Sequence, residues 1–140
     1  MRKLAPLLLV LGLCACGSSA ITGSVSTTIG GSPSHDRAVF VTTGPNAATC
    51  DIAGTYAYCV HYPPHEPRLA VSVAMKPSGS FGTCNGAKCV HKLNGAPLNL
   101  GEKVRVGPFR CTVLPSGVLC DIPTTGRGFL ISRNGVQQVG

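Results

Sequence analysis

The spacing of six cysteines constrains the fold of this chain more than any other feature of its sequence. Eight residues separate the first two and also the last two, and four separate the middle two. Each eight-residue interval has a central turn signal, Ala53-Gly54-Thr55 or Pro115-Ser116-Gly117, between apolar residues, which is typical of a β-hairpin with one cysteine on each strand. Facing strand positions lie close enough for a disulfide. The sequence therefore predicts bridges between neighbours, namely Cys50–Cys59, Cys84–Cys89 and Cys111–Cys120.

The beginning of the chain indicates export, which brings cysteines into an oxidising compartment. Arg2 and Lys3 precede an apolar run of ten residues, from Leu4 to Leu13. This run is too short to remain as a membrane-spanning helix, and together with the preceding charges it is typical of an export signal. Cleavage after Ala20, which follows two small residues, is one way to remove the signal and yields a secreted protein.

The residues around Cys16 resemble a bacterial lipobox. In that motif an aliphatic residue stands three positions before the cysteine and a small residue directly before it, and Leu13 and Ala15 occupy these places. Cys14 fits less well because bulky Leu13 precedes it directly. The resemblance implies that residues 1–15 are a signal peptide and that Cys16 becomes a diacylglyceryl thioether, whose acyl chains hold the protein on the outer face of the cell membrane.

A spacer follows the predicted lipid anchor. Residues 17–35 are rich in Gly, Ser and Thr and contain no Asp, Glu, Lys or Arg. This composition favours a flexible linker with a span of roughly 24 Å, although an additional strand is the alternative. Lipidated Cys16 and its linker thus occupy residues 16–35, and residues 36–140 are long enough for a single β domain with a modest core.

The pattern of the remaining chain predicts an all-β fold. Short segments rich in β-forming residues recur between turn residues, at 38–42, 69–75, 103–106, 128–132 and 136–139. Leu69, Val71, Val73 and Met75 alternate with smaller neighbours, which indicates a strand with one buried face. Asn134-Gly135 predicts a hairpin turn between the last two segments. We expect a small disulfide-stabilised β-sandwich or open barrel built from hairpins.

The charge of the chain excludes some partners. The sequence has 12 basic and 5 acidic residues, and removal of Arg2 and Lys3 leaves 10 basic residues, so the exported part carries a net charge of 10 − 5 = +5. The basic residues are scattered and aromatic residues are few, so we expect no nucleic-acid partner. A weak attraction to anionic lipid or to acidic envelope polymers is the expectation that remains.

The last third of the chain resembles an uncharacterised family of exported actinobacterial proteins, many of them mycobacterial-type lipoproteins. That family has a pattern written GPFxC, then GVxC, then TGxGFxxSR. The matching residues are Gly101, Gly107, Pro108, Phe109, Cys111, Gly117, Val118, Cys120, Thr125, Gly126, Gly128, Phe129, Ser132 and Arg133. The resemblance implies export and a cysteine-paired β fold, and it implies no activity.

The loop Thr125-Gly126-Arg127-Gly128 lies within this pattern and has two readings. Its glycines allow a tight turn that returns Phe129 to the core beside Phe109, which is a structural role. A ligand-binding loop is the alternative, because loops on a rigid β framework often carry function.

Three histidines are the candidate metal ligands. Cys59-Val60-His61 and Cys89-Val90-His91 repeat one short pattern, and His65 lies in the proline-rich stretch HYPPHEP. Imidazole suits zinc or copper, but oxidised cysteines cannot contribute thiolates. We therefore expect no metal or other cofactor, and a site formed by His61, His65 and His91 is the alternative.

Catalytic motifs are missing from the sequence. Neither GxSxG nor HExxH occurs. Asp51 and Asp121 each follow a cysteine on a predicted strand and form a conceivable carboxylate pair, but solvent-facing strand positions explain them more simply. We expect a non-enzymatic, membrane-tethered binding module for an envelope protein, glycan or anionic lipid. A small hydrolase or metal-dependent enzyme that uses the histidines and carboxylates is the alternative.

Overall fold

The computed structural model describes residues 36–140, which form two β-sheets. The signal peptide, the lipidated Cys16 and the linker predicted for residues 1–35 lie outside the described residues. The strands are β1 (Arg37–Val41), β2 (Thr49–Ala53), β3 (Tyr56–His61), β4 (Val71–Met75), β5 (Phe81–Asn85), β6 (Ala96–Pro97), β7 (Lys103–Val106), β8 (Phe109–Leu114), β9 (Gly117–Asp121), β10 (Gly128–Ser132) and β11 (Gly135–Val139). Two short 3₁₀ turns cover Pro67–Leu69 and Ala87–Cys89. The described residues contain no helix with the length and apolarity that a membrane crossing needs.

Each sheet contains an antiparallel meander of five consecutive strands. The order in the first sheet is β5-β4-β3-β2-β1-β6, where the short β6 pairs in parallel with β1. The order in the second sheet is β11-β10-β9-β8-β7. Because every meander connection joins adjacent strands, each sheet is a row of hairpins. The predicted all-β fold built from hairpins is confirmed, in the form of two sheets that do not close into a barrel.

The three predicted disulfides are confirmed. Cys50 on β2 faces Cys59 on β3, and Cys111 on β8 faces Cys120 on β9. The Cα atoms of each of these pairs are 4.1 Å apart, which is the close spacing of directly facing strand residues. The third bridge joins Cys84 at the end of β5 to Cys89 in the 3₁₀ turn that follows. Each sheet therefore has a disulfide between its second and third strands in chain order.

The hydrophobic core lies between the two sheets, and the two hairpin disulfides meet in it. All four of these cysteines are at most 1% exposed, and Sγ of Cys59 lies 3.7 Å from Sγ of Cys120. Phe109 and Phe129 are fully buried as predicted, and the ring of Phe129 lies 6.2 Å from the ring of Phe81 on the opposite sheet. The largest buried aliphatic side chains are Ile52, Met75, Ile122 and Ile131. Because the sulfur atoms contact one another across the sheets, they act as core side chains as well as crosslinks.

Leu69 departs from the predicted strand pattern. β4 begins at Val71, whereas Leu69 ends a 3₁₀ turn and is 56% exposed. Pro67 fixes the backbone at the beginning of this turn, and the Leu69 amide donates to the Glu66 carbonyl at 2.8 Å. The rest of the prediction holds, because Val71, Val73 and Met75 are buried.

Two hairpin turns depend on glycine. In the final hairpin the turn residues are Arg133 and Asn134, and Gly135 begins β11 with a φ of 107°, which places the predicted turn one residue earlier. At the beginning of β9, Gly117 has a φ of 142°, and a Cβ atom there would lie 2.1 Å from the Ile131 carbonyl oxygen. Only glycine permits this approach of β9 to β10.

Polar side chains join the sheets at two places along their edges. Asn46, in the β1–β2 connection, donates to the Pro115 carbonyl at 3.0 Å and accepts from the Arg133 amide at 3.3 Å. Arg127, in the β9–β10 connection, donates to the Ser78 carbonyl at 3.3 Å. These bonds hold connections of one sheet against turns of the other.

Candidate functional site

A groove of about 460 Å³ lies where three connections meet. The β1–β2 connection and the β3–β4 connection, both of the first sheet, form most of its walls, and the β10–β11 turn of the second sheet completes it. The lining residues are Gly44, Pro45, Ala47, His61, Tyr62, Pro63, Pro64, Glu66, Leu69, Arg133 and Asn134. The groove therefore combines apolar walls with a few polar and charged groups, which is the usual composition of a ligand site.

The β3–β4 connection supplies the apolar wall. Prolines at positions 63, 64 and 67 restrict its backbone, and the Glu66 amide donates to the Pro63 carbonyl at 3.1 Å. Tyr62 and Leu69 remain 45% and 56% exposed, two of the three large apolar side chains with such exposure in the described residues. Because this backbone is restricted, the exposed apolar side chains are presented with little freedom to rearrange.

His61 is the most constrained polar side chain of the groove. It ends β3 on the inner side of the sheet and is only 7% exposed. Its Nδ1 lies 2.6 Å from the Ala47 carbonyl oxygen. A carbonyl only accepts hydrogen bonds, so Nδ1 carries a proton, and Nε2 of the neutral ring is an acceptor. Nε2 has no hydrogen-bond partner among residues 36–140, so a ligand in the groove can bind to it.

Arg133 and Glu66 add charge to the two sides of the groove. The backbone of Arg133 is held by Asn46, and the Asn134 amide donates to the Ser132 hydroxyl at 3.1 Å. The turn that carries Arg133 is therefore fixed in place. The groove therefore contains the Arg133 guanidinium, the Glu66 carboxylate and the His61 imidazole beside exposed apolar surface.

The three candidate metal ligands lie in different places. His61 faces inward at the end of β3, whereas His91 contacts the outer face of the first sheet, where its ring lies 5.9 Å from that of Tyr58. His65 is exposed in the β3–β4 connection and does not line the groove. Within residues 36–140 the one cluster of potential ligands is Cys50, Cys59 and Cys120. These sulfur atoms are held in disulfides and are not thiolates, so the structure does not assemble the histidine site.

The two aspartates face away from each other. Each follows an inward-facing cysteine, so Asp51 points out of the first sheet and Asp121 out of the second. Asp51 accepts from Arg37 at 2.7 and 2.6 Å and from the Tyr56 hydroxyl at 3.0 Å. Asp121 accepts from Arg110 at 3.0 and 2.6 Å. Both carboxylates are 5–8% exposed beneath their arginines, so they are paired ions on opposite surfaces rather than a catalytic pair.

These pairs alter the titration of their partners. The hydrogen bond to Asp51 and its negative charge raise the pKa of Arg37, and Asp121 raises the pKa of Arg110 in the same way. Desolvation, followed by the hydrogen bond to Asp51, raises the pKa of Tyr56 above its ordinary value. The two arginines therefore remain charged, and the Tyr56 hydroxyl remains protonated, under ordinary conditions.

The loop Thr125–Gly128 joins β9 to β10 and packs against the first sheet. The amides of Thr125 and Gly126 donate to the Ile122 carbonyl at 3.0 and 2.9 Å. The Arg127 side chain covers Gly79, where a Cβ atom would lie 2.7 Å from Arg127 Cδ. These contacts give the loop a structural role, and its ligand-binding role stays a prediction.

Sequence reasoning singled out His61 but missed its neighbours in the groove. Arg133 and His61 belong to different sheets, and no local pattern brings them together. The usable signal was the tyrosine followed by two prolines, since an aromatic residue in such a stretch is difficult to bury. No family model, curated protein or solved structure matches this chain.

Proposed function

We propose that this protein is an exported binding module that is tethered to the membrane through Cys16 and takes its ligand in the His61 groove. The observation that carries this proposal is the state of His61, which is nearly buried, oriented by the Ala47 carbonyl and left with an unpartnered Nε2. Because no buried side-chain nitrogen or oxygen of the described residues lacks a hydrogen-bond partner, Nε2 is accessible to solvent and open to a ligand donor. A ligand that donates to Nε2 would bind to an imidazole whose orientation is already fixed by the Ala47 carbonyl.

The chemistry of the groove favours an envelope peptide or glycan segment with an apolar face and an acidic group. Tyr62 and the adjacent prolines offer flat surface for stacking, and Leu69 extends it. The Arg133 guanidinium matches a carboxylate in geometry and charge. A hydroxyl or amide of the ligand would donate to Nε2 of His61.

The framework favours binding without rearrangement. The Cys50–Cys59 disulfide crosslinks β2 to β3, and His61 lies two residues beyond Cys59. Asn46 bonds to both the β8–β9 and β10–β11 turns. A site held on crosslinked strands loses less conformational entropy when it binds, which raises its affinity.

The ligand prediction is tested by photo-crosslinking in intact cells. A benzoyl-phenylalanine replaces Leu69 in the groove or, as a matched control, exposed Lys103 on β7. We expect a discrete crosslinked species from position 69 only, and we expect Arg133→Glu to reduce its yield at least severalfold. Equal crosslinking from both positions, or a yield that Arg133→Glu leaves unchanged, would contradict the groove as the binding site.

The tether is tested separately by fractionating cells that express Cys16→Ala or Cys14→Ala. We expect Cys16→Ala to lose the acyl chains and to leave the membrane fraction, and Cys14→Ala to remain in it, because the two or more acyl chains at Cys16 supply the attachment. A Cys16→Ala protein that stays in the membrane fraction would contradict the lipid anchor and leave the groove proposal standing.

A further inference from the structure

The third disulfide differs from the other two in its exposure. Cys50, Cys59, Cys111 and Cys120 lie in the core and are at most 1% exposed. Cys84 is an exposed residue at the end of β5, which is an edge strand of the first sheet. Its partner Cys89 is 4% exposed. An external thiol can therefore approach the bridge from one side, at Cys84.

The bridge borders an open cavity on the outer face of the first sheet. This cavity has a volume of about 350 Å³, and Cys84, Cys89, Lys88, His91 and Tyr58 are among the residues that line it. The volume accommodates a small thiol or the tip of a reactive loop. Lys88 directly precedes Cys89 and lines the same cavity as both cysteines, and a nearby cation stabilises a thiolate.

We propose that Cys84–Cys89 is a thiol–disulfide exchange site whose substrate is a low-molecular-weight thiol or a protein dithiol outside the cell membrane. The attacking thiolate forms a bond to Sγ of Cys84, and the Cys84–Cys89 bond breaks. Cys89 leaves with the electron pair as a thiolate and is then protonated. A second external thiolate attacks the external sulfur of this mixed disulfide, forms the new external disulfide and releases the Cys84 thiolate. The protein gains two electrons and two protons, and the two external thiols become one disulfide.

Two hydrogen bonds would stabilise the reduced form, in which Cys84 and Cys89 are free thiols. The Asn85 carbonyl oxygen lies 3.1 Å from Sγ of Cys89, so it can accept a hydrogen bond from the new thiol. The Tyr58 hydroxyl donates to the Cys89 carbonyl at 3.0 Å, which keeps the 3₁₀ turn against the sheet without the bridge. The two core disulfides are untouched by this reaction, so the sandwich stays folded. Exchange at this site is independent of the His61 groove.

The test is differential alkylation of the exported chain under native conditions. The protein is treated with dithiothreitol for increasing times, quenched with N-ethylmaleimide and mapped by mass spectrometry. We expect two labels, on Cys84 and Cys89, at a rate about a hundredfold above that of the core cysteines, since those need cooperative opening of the fold. Simultaneous labelling of all six cysteines, or earlier labelling of the core pairs, would overturn the proposal.

The direction of attack is tested with a monothiol. Incubation with glutathione should place the mixed disulfide on Cys84, and Cys89→Ser treated with oxidised glutathione should accumulate the adduct there. Lys88→Gln should slow reduction severalfold, whereas Lys103→Gln on the second sheet should not. A mixed disulfide on Cys89, or equal rates for both lysine variants, would contradict the assigned chemistry. The Cys84→Ser/Cys89→Ser variant should unfold cooperatively, and it should release no thiol under the conditions that reduce this bridge.

Discussion

The two sheets share a strand order and a central disulfide, but they differ in the connections between their strands. In the second sheet, two-residue turns join β7 to β8, β8 to β9 and β10 to β11. In the first sheet only β2 and β3 are joined by a two-residue turn, and the connections at 42–48, 62–70 and 76–80 are longer, whereas the second sheet has one longer connection, at 122–127. The groove and the exposed disulfide are both formed largely by elements of the first sheet.

Both proposed sites thus lie mainly on the sheet that has more of the longer connections. Short turns leave no room for a cavity, whereas longer connections on a rigid sheet create one. We infer that the second sheet chiefly buries the core face of the first, and that the first sheet presents the groups that bind or react. Arg133, on a turn of the second sheet, is the exception that completes the groove.

The largest expected effect comes from the core that the sheets share. Phe129→Ala removes a fully buried ring that contacts Phe81 across the sheets. It should lower the free energy of unfolding by about 3–5 kcal/mol. Tyr62→Ala, at the half-exposed groove wall, should change it by about 0.5 kcal/mol or less. Urea unfolding measures both, and equal losses would remove the distinction between core and groove.

The next effect tests whether the two core disulfides stabilise the fold more than the exposed Cys84–Cys89 bridge does. Replacing either pair, Cys50/Cys59 or Cys111/Cys120, with alanine should cost about 2–5 kcal/mol, because each variant loses a short crosslink and buried sulfur. Replacing Cys84 and Cys89 with serine should cost less, because Cys84 is exposed on an edge strand. Thermal unfolding under non-reducing conditions ranks the stabilities of the three double variants. A Cys84/Cys89 variant that is destabilised as strongly as the two core variants would contradict this ranking.

A smaller effect tests the tight turns of the second sheet. Gly117→Ala forces a side chain toward the Ile131 carbonyl at a positive φ and should cost about 1–3 kcal/mol. Gly54→Ala in the corresponding turn of the first sheet meets no atom within 4 Å and should be nearly neutral. Chemical denaturation of the two variants compares them directly, and a neutral Gly117→Ala would show that β9 approaches β10 less closely.

The smallest effect concerns the Arg37–Asp51 and Arg110–Asp121 ion pairs. They differ because Asp51 also accepts a hydrogen bond from the Tyr56 hydroxyl. The pKa of Tyr56 is raised in the folded state, so its contribution to stability is complete below the unfolded value of about 10. That contribution is lost as the pH rises from there through the folded pKa. The stability difference between wild type and Tyr56→Phe should therefore narrow above about pH 10. A difference that stays constant up to alkaline unfolding would contradict this assignment.

The sequence predicted the parts of the structure that depend on neighbours in the chain. Cys50 and Cys59 pair across a two-residue turn, so spacing and turn residues were sufficient to place the bridge. Leu69 was misplaced because alternation suggested a strand where Pro67 starts a turn. The burial of Asp51 under Arg37 was missed since a charged residue on a strand is normally solvated. The groove depends on Arg133 meeting His61 when the sheets pack, and no local pattern encodes that.

The central claim is that each hairpin carries its own disulfide and that the two bridges meet only by packing. Sγ of Cys59 and Sγ of Cys120 are 3.7 Å apart, so a bridge between the sheets is a real competitor. Tryptic peptide mapping of the alkylated, non-reduced protein distinguishes bridges within each hairpin from a bridge between the sheets. We predict internal bridges within peptides 38–68 and 111–127, and a link between 69–88 and 89–92. A disulfide that joins peptide 38–68 to peptide 111–127 would contradict the account.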